Sequence, residues 1–312
     1  MELNGKIFII GCGAIGKALA VFLKVAGKDV TLVRGSVNDG SDRVETIEVL
    51  IHGGLVLKSD IRISTLNNFP ELNGMVVLTT KSYGNSQLAE GLRDKVKNSP
   101  VVILQNGLGV EQPFENQGYP EIYRAVLFAT SQVASDDSVS FKPVSVSPVG
   151  RVKGGVETLS RVVEHLSSPH FEFRAENDIL PIVWKKAIIN CAFNSICPLL
   201  EVDNGIFHRD KAALEMAENV IRECLLVANA RGINLDFNEI RTGLLQISRL
   251  SDGQFISTLQ DIRNKKRTEI ETLNFQIAEM ADSLGMTDLV GQTRLLGMLT
   301  KLKADLNFKV TE

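Results

Sequence analysis

The apolar positions change rhythm once along the chain. Up to about residue 176, short runs suited to buried strands alternate with helical stretches. Ile7, Phe8, Ile9 and Ile10 form a first β-branched and aromatic run. Ala14, Ile15, Ala18, Leu19, Phe22 and Leu23 then share one face of a helix, and Asp29 to Val33 reads as a second strand. Val44–Leu50 and Leu55–Ile63 flank His52-Gly53-Gly54, a hairpin pattern. Met75–Thr79 and Val101–Leu104 are further strands on either side of a helix over Asn85–Val96. More strands are expected between Ile122 and Val149, a helix over Val156–Leu166, and an alternating edge strand at Phe171–Arg174. From Asp178 the periodicity is helical, over about 178–196, 210–231, 238–250, 268–284 and 289–304. The expected organisation is therefore an α/β domain over 1–176 and an all-helical domain over 177–312.

Composition narrows the classes. The 312 residues are 44% hydrophobic and 23% charged, enough to build ordinary cores in about two domains. A net charge of −3 gives no electrostatic case for nucleic acid or an anionic membrane. No apolar run approaches a membrane span, and Met1 to Gly5 lack the basic start and cleavage pattern of a leader. The four cysteines, Cys12, Cys191, Cys197 and Cys224, form no CxxC pair and no metal-ligand spacing. We read them as reduced residues of a cytoplasmic protein, with no metal site.

Chemistry enters at the first strand end. Gly11-Cys12-Gly13-Ala14-Ile15-Gly16 is a Gly-x-Gly-x-x-Gly turn between a strand and a helix, the context in which the motif binds a dinucleotide. One glycine makes the turn, the next admits a pyrophosphate, and the third lets the helix pack closely. The helix start favours phosphate through its unpaired N–H groups and dipole. This makes the first domain a Rossmann-type fold. The second strand ends at Arg34, 23 residues after Gly11, where NAD-preferring folds usually place a carboxylate. An arginine beside Ser36 suits a 2′-phosphate, so NADP is the expected cofactor; the plainer alternative is a solvated strand end. Lys81 and Asn106 follow two parallel-type strands, at the end of the sheet where ligands bind. Each could equally be an ordinary loop residue.

The helical half opens with Trp184-Lys185-Lys186-Ala187-Ile188-Ile189-Asn190-Cys191-Ala192-Phe193-Asn194. Lys186, Asn190 and Asn194 recur every four residues and form a polar stripe on an otherwise apolar helix. Such groups need partners or a task. An ammonium suits ketone reduction, because it stabilises and protonates the oxygen that gains charge as hydride arrives. The alternative is a lysine snorkelling to the surface and two bracing amides. A second cluster spans Ser257 to Ile270. Ser257 could bind a carboxylate, or cap a helix. Glu269 could keep Lys186 protonated, or be a first-turn acid. Arg263 to Arg267 is a basic run expected on a solvated helix surface. His52, His165, His170 and His208 lie outside both clusters, against a His/Asp proton relay. The helical half could supply a homodimer face, although no apolar stripe is left without an assignment.

The GCGAIG turn, Arg34, the Lys81 turn, QNGLG around Asn106, WKKAIINCAFN and STLQDIRNKKRTEIETLN together resemble the ketopantoate reductase (2-dehydropantoate 2-reductase) family over nearly the whole length. The resemblance implies NADPH-dependent reduction of 2-dehydropantoate to (R)-pantoate, on the route to pantothenate and coenzyme A. It implies Lys186 as the general acid with Glu269 beside the site. Asn190, Asn194 and Ser257 would hold the substrate hydroxyl and carboxylate. Lys81 and Asn106 would lie near ribose and nicotinamide. Gln105 departs from the family, which often has histidine there, and 128–155 matches loosely. Alternatives are a related NADP-dependent reductase of another 2-oxo or 3-hydroxy acid, and a non-catalytic NADP-binding regulator.

Overall fold

A computed structural model describes residues 5–309; Met1 to Asn4, read above as part of a leaderless start, lie outside them. The chain divides into two compact units, Met1–Gln105 with Val110–Ile179, and Asn106–Gly109 with Leu180–Glu312.

The first unit runs β1 (Lys6–Ile10), α1 (Ala14–Val25), β2 (Asp29–Arg34), β3 (Arg43–Ile51), β4 (Val56–Thr65), β5 (Met75–Leu78), α2 (Asn85–Val96), β6 (Val101–Ile103), α3 (Gln112–Asn116), β7 (Ile122–Ala125), β8 (Ala129–Val133), β9 (Ser138–Pro143), β10 (Ser147–Lys153), α4 (Val156–Leu166) and β11 (Phe173–Glu176). Among the described residues these strands form one sheet in the order β11-β10-β7-β6-β5-β1-β2-β4-β3-β9-β8. Its centre, β4-β2-β1-β5-β6-β7, is parallel throughout. That is the doubly wound order, with its switch point between β1 and β5. The β3–β4 hairpin replaces a crossover helix, with Ile51 N–H closing on the Leu55 carbonyl across His52-Gly53-Gly54. On the flanks, β10 runs antiparallel to β7 and β11 forms the edge, as the alternation at 171–174 predicts.

Both faces of the central strands are covered, which is why they read as continuous apolar runs rather than as alternation. Ile7 and Ile9 face α1 and α4, with Leu19, Phe22, Val162 and Leu166. Phe8 and Ile10 face α2 and α3, with Leu88, Leu92 and Phe114. Edge-on aromatic contacts from Phe22 to Phe141 (4.9 Å) and Phe141 to Phe171 (5.0 Å) extend the first layer toward the flanks.

The second unit comprises α5 (Leu180–Leu200), α6 (Ile206–Arg209), α7 (Lys211–Ala230), α8 (Phe237–Leu250), α9 (Ser257–Arg263), α10 (Asn274–Ser283) and α11 (Gly291–Lys309), with 3-10 turns at Ile270–Thr272 and Thr287–Val290. Helix α5 is the hub. It packs against α7, α8, α9 and α11 and is buried from Ala187 to Pro198 except at Asn190. It passes through Pro198 to Leu200, beyond the expected end. The single helix expected over 268–284 is broken instead. Leu273 adopts φ −116°, ψ −101°, which separates the 3-10 turn from α10. Helix α11, expected over 289–304 with no apolar stripe left unassigned, carries one on its outer face. Leu295, Leu299, Leu302 and Leu306 are exposed, while Thr293, Leu296, Gly297, Thr300 and Ala304 face inward. No helix among the described residues is long and apolar enough to cross a membrane.

Candidate functional site

In the first unit the site begins where β1 stops. Gly11 N–H donates to the Val33 carbonyl (2.9 Å), and Thr79 Oγ1 donates to the carbonyls of Ile10 (3.2 Å) and Gly11 (3.0 Å). The glycine turn is thus pinned to the ends of β2 and β5, beside the switch point. Gly11 sits at φ +123°, which favours glycine, and a Cβ there would lie 2.7 Å from Thr79 Oγ1. A Cβ on Gly16 would lie 2.0 Å from the Gly11 carbonyl oxygen, so the helix packs directly on the turn. Gly13 differs. It has an ordinary φ of −79°, and a Cβ would meet nothing within 4 Å. Packing therefore leaves open space outside Gly13. The same residue is the N-cap of α1, which has no side-chain cap and no acid in its first turn. An uncapped, acid-free helix start facing open space fits a phosphate.

The charges around the turn agree. Burial pushes the Cys12 thiol up, Lys17 and Arg34 pull it back down, and the paired Glu45 and Arg43 act in opposite directions, so two unopposed cations act on this turn. Lys17 and Arg43 were not singled out from the sequence. Arg43 is 32 residues from the turn's Gly11 and is brought near only by the β2-β4-β3 strand order. Arg34 closes β2, half-buried, with its Nη1 3.4 Å from Ser41 Oγ and 3.5 Å from Asp39 Oδ2. The loop after β2 holds the guanidinium without burying it. Lys81 follows β5, half-buried and extended. Gln105, which departs from the family pattern, is buried. Its amide donates to Thr80 Oγ1 (3.1 Å) and Asn85 Oδ1 (2.8 Å), and it accepts from Asn85 Nδ2 (2.7 Å). It braces the Lys81 turn against the start of α2.

In the second unit the polar stripe lies along α5. Lys186 and Asn190 are half-buried, and Asn194 is 4% exposed. The neighbouring Lys185 is spent structurally, pairing with Glu239 of α8. Asn194 Oδ1 accepts from Thr258 Oγ1 (2.7 Å) and Ser257 Oγ (3.4 Å), and its Nδ2 donates to the Asn190 carbonyl (3.1 Å). The two sequence clusters, sixty-odd residues apart, are therefore one cluster in space. Thr258, not identified from the sequence, supplies the shorter bond. Ser257 is not a cap: Ile256 holds the N-cap position of α9, and no side chain caps it. Glu269, half-buried, is not in the first turn of an α-helix but at the head of the 3-10 turn, which packs against α5. Asn106–Gly109 groups with this unit. Leu108 N–H donates to the Thr272 carbonyl (2.8 Å), and at Gly107 (φ +101°) a Cβ would lie 2.4 Å from Thr272 Oγ1. Asn106 itself is exposed.

Other clusters offer less. His208 Nδ1 lies 3.2 Å from Ser248 Oγ, and its Nε2 3.9 Å from Asp252, an arrangement with the elements of a hydrolase triad. Ser248, however, is fully buried, and its hydroxyl donates to the Asn204 carbonyl (2.7 Å), so it ties α8 to the α6 turn. Cys191 and Cys197 are buried thiols whose ionisation burial opposes, Cys197 being pushed up to about 12. Among the described residues no group of three or more His, Cys, Asp or Glu side chains is placed to hold a metal ion.

Comparison with known proteins covers both units. The family model "Ketopantoate reductase PanE/ApbA" matches residues 7–146, and "Ketopantoate reductase PanE/ApbA C terminal" matches 178–302. A 2-dehydropantoate 2-reductase of Pyrococcus horikoshii is 30% identical over 282 residues, covering 88% of this chain and 90% of the relative. Among solved structures, a D-mandelate dehydrogenase with NADH and anilino(oxo)acetate superposes with a TM-score of 0.83 at 21% identity, covering 97% of this chain and 99% of that one. A ketopantoate reductase from Ralstonia eutropha JMP134 superposes at 0.82 and 22%, with the same coverage. At these identities the two structures speak to fold alone.

Proposed function

The chain belongs to the ketopantoate reductase family, and from that premise we propose that it reduces 2-dehydropantoate to (R)-pantoate with NADPH as the reductant. The reduced nicotinamide, when bound, supplies the hydride. The Gly11–Gly16 turn, with Cys12, Ala14 and Ile15 between its glycines, holds the pyrophosphate on the uncapped start of α1. Arg34 pairs with the 2′-phosphate, and Lys81 and Asn106 serve the ribose and nicotinamide ends. Lys186 gives its proton to the ketone oxygen and stabilises the charge that develops there. Asn190 and Ser257 hold the hydroxyl and carboxylate. Asn194, tied to Thr258, Ser257 and the α5 backbone, keeps Ser257 in place. Glu269, at the head of the 3-10 turn packed against α5, lies beside the site.

One observation carries this reading: the hydrogen bonds from Ser257 and Thr258 to Asn194, which join the lysine–asparagine stripe and the distant Ser257 block into a single polar cluster, buried at Asn194 and Thr258 and open to solvent at Ser257. A regulator that only sensed cofactor would have no use for it. The test is absorbance loss of NADPH on addition of 2-dehydropantoate, run beside NADH and beside other 2-oxo acids, that of mandelate included. Turnover should be fastest with NADPH and 2-dehydropantoate. Faster turnover of another oxo acid would move the substrate assignment. NADPH binding without reduction of any oxo acid would leave a regulator.

Lys186→Ala should lower kcat on the order of 10²-fold or more, because the proton donor is lost. NADPH affinity by calorimetric titration should stay near that of the parent. An unchanged kcat would remove Lys186 from the acid's role.

A further inference from the structure

Strands β5 and β6 lie side by side, with Leu78 opposite Ile103. Each leads into a turn, and the two turns place polar residues at matching positions: Lys81 after Leu78, Asn106 after Ile103. A pair of amides joins these turns. Asn85 Nδ2 donates to Gln105 Oε1 (2.7 Å) and to the Val110 carbonyl (2.8 Å). Gln105 Nε2 donates back to Asn85 Oδ1 (2.8 Å) and on to Thr80 Oγ1 (3.1 Å). Every side-chain N–H and both amide oxygens of the pair are thereby used.

The pair is buried, Asn85 being 3% and Gln105 5% exposed. Its bonds end on the residues that frame the turns. Thr80 precedes Lys81, and Gln105 precedes Asn106. Val110 is where the chain rejoins the first unit after Asn106–Gly109. The Asn85 amide therefore holds both ends of the segment that carries Asn106, and the Gln105 amide holds the residue before Lys81.

Two features set this apart from an ordinary packing contact. Asn85 opens α2, whose start has no side-chain cap. Its amide serves the β6 turn rather than its own helix. The second feature is energetic. Leaving one buried polar group unpaired is costly, whereas replacing both partners by apolar groups of the same shape is close to neutral. Stability alone therefore does not call for amides here. A directional tie between two turns does, and it lies at the strand ends where ligands of such sheets bind.

We propose that Asn85 and Gln105 are positioning residues for the bound cofactor: their amide pair sets where the turns after β5 and β6 hold Lys81 and Asn106. The inference rests on the function proposed above, which gives those two residues the ribose and nicotinamide end of NADPH. Calorimetric titration with two probes tests it: NADPH, and adenosine 2′,5′-bisphosphate, which keeps the 2′-phosphate and lacks the nicotinamide half. The double variant Asn85→Leu/Gln105→Met replaces both amides by apolar side chains of similar size. It should bind the fragment as the parent does. It should bind NADPH about tenfold more weakly, the loss of one hydrogen bond to a charged group. Equal weakening of both ligands, or of neither, overturns the positioning role and leaves the proposed function standing. A parent chain that does not bind NADPH overturns that function, and the positioning role with it. If the double variant does not fold, Gln105→Met takes its place, with Asn85 still tied to Val110, and the same outcomes decide.

Discussion

Gly13 and Gly16 stand three residues apart and answer to different demands. Gly16 is demanded by the fold, since any Cβ would collide with the Gly11 carbonyl. Gly16→Ala should therefore cost stability, on the order of 1–3 kcal/mol, as overpacking does. Gly13 is not demanded by the fold, because its backbone angles suit any residue and its side-chain space is open. Gly13→Asp should leave the melting temperature equal to or above that of the parent, because aspartate is a favoured N-cap. The same substitution should weaken NADPH binding by about tenfold or more, since the carboxylate occupies and repels the phosphate position. Melting curves and calorimetric titration of the two variants check both statements, and retained affinity in Gly13→Asp would remove the turn from the cofactor site. The motif was legible in the sequence. The separate roles expected of its glycines follow from their order in the motif; what the sequence did not hold is the contacts behind them, Thr79 against Gly11 and Gly16 and the open space beside Gly13.

At the scale of elements, the sequence located helices better than it located their ends and faces. Helix α4 falls where its periodicity places it, and α2 likewise. The break at Leu273 was invisible, since 268–284 keeps a helical pattern through it. Helix α9 was given no bounds, because seven residues are too few for periodicity to declare; only the cap reading of Ser257 pointed to it. Its importance lies in one contact: Thr258, 2% exposed, donates to Asn194. Asn194→Leu should destabilise the protein by about 1–3 kcal/mol, the cost of leaving a buried hydroxyl without its acceptor. Adding Thr258→Val removes the orphaned hydroxyl and should return part of that loss. Urea midpoints for the two singles and the double measure the coupling. Additive effects would mean the bond contributes nothing to the α5–α9 contact.

At the scale of the whole molecule, the Gly11–Gly16 turn, Arg34 and Lys81 belong to one compact unit, and the Lys186 cluster to another, together with Asn106. A ligand that binds only the folded state adds about 2.7 kcal/mol at a hundredfold excess over its dissociation constant. NADPH should therefore raise the melting temperature clearly, and NADH at equal concentration should raise it less. Equal shifts would show that Arg34 does not read the 2′-phosphate. The sequence by itself determined the two-part architecture, the glycine turn and the spacing of Lys186, Asn190 and Asn194, because strand runs, turn glycines and helical repeats are local properties of the chain. Tertiary structure alone decided which residues meet: Arg43 near the glycine turn, Thr258 on Asn194, Thr272 under Gly107, and the leucines of α11 facing out. Those pairings join positions far apart in sequence, and in α11 both faces carry a helical repeat, so only packing could choose the one that is buried.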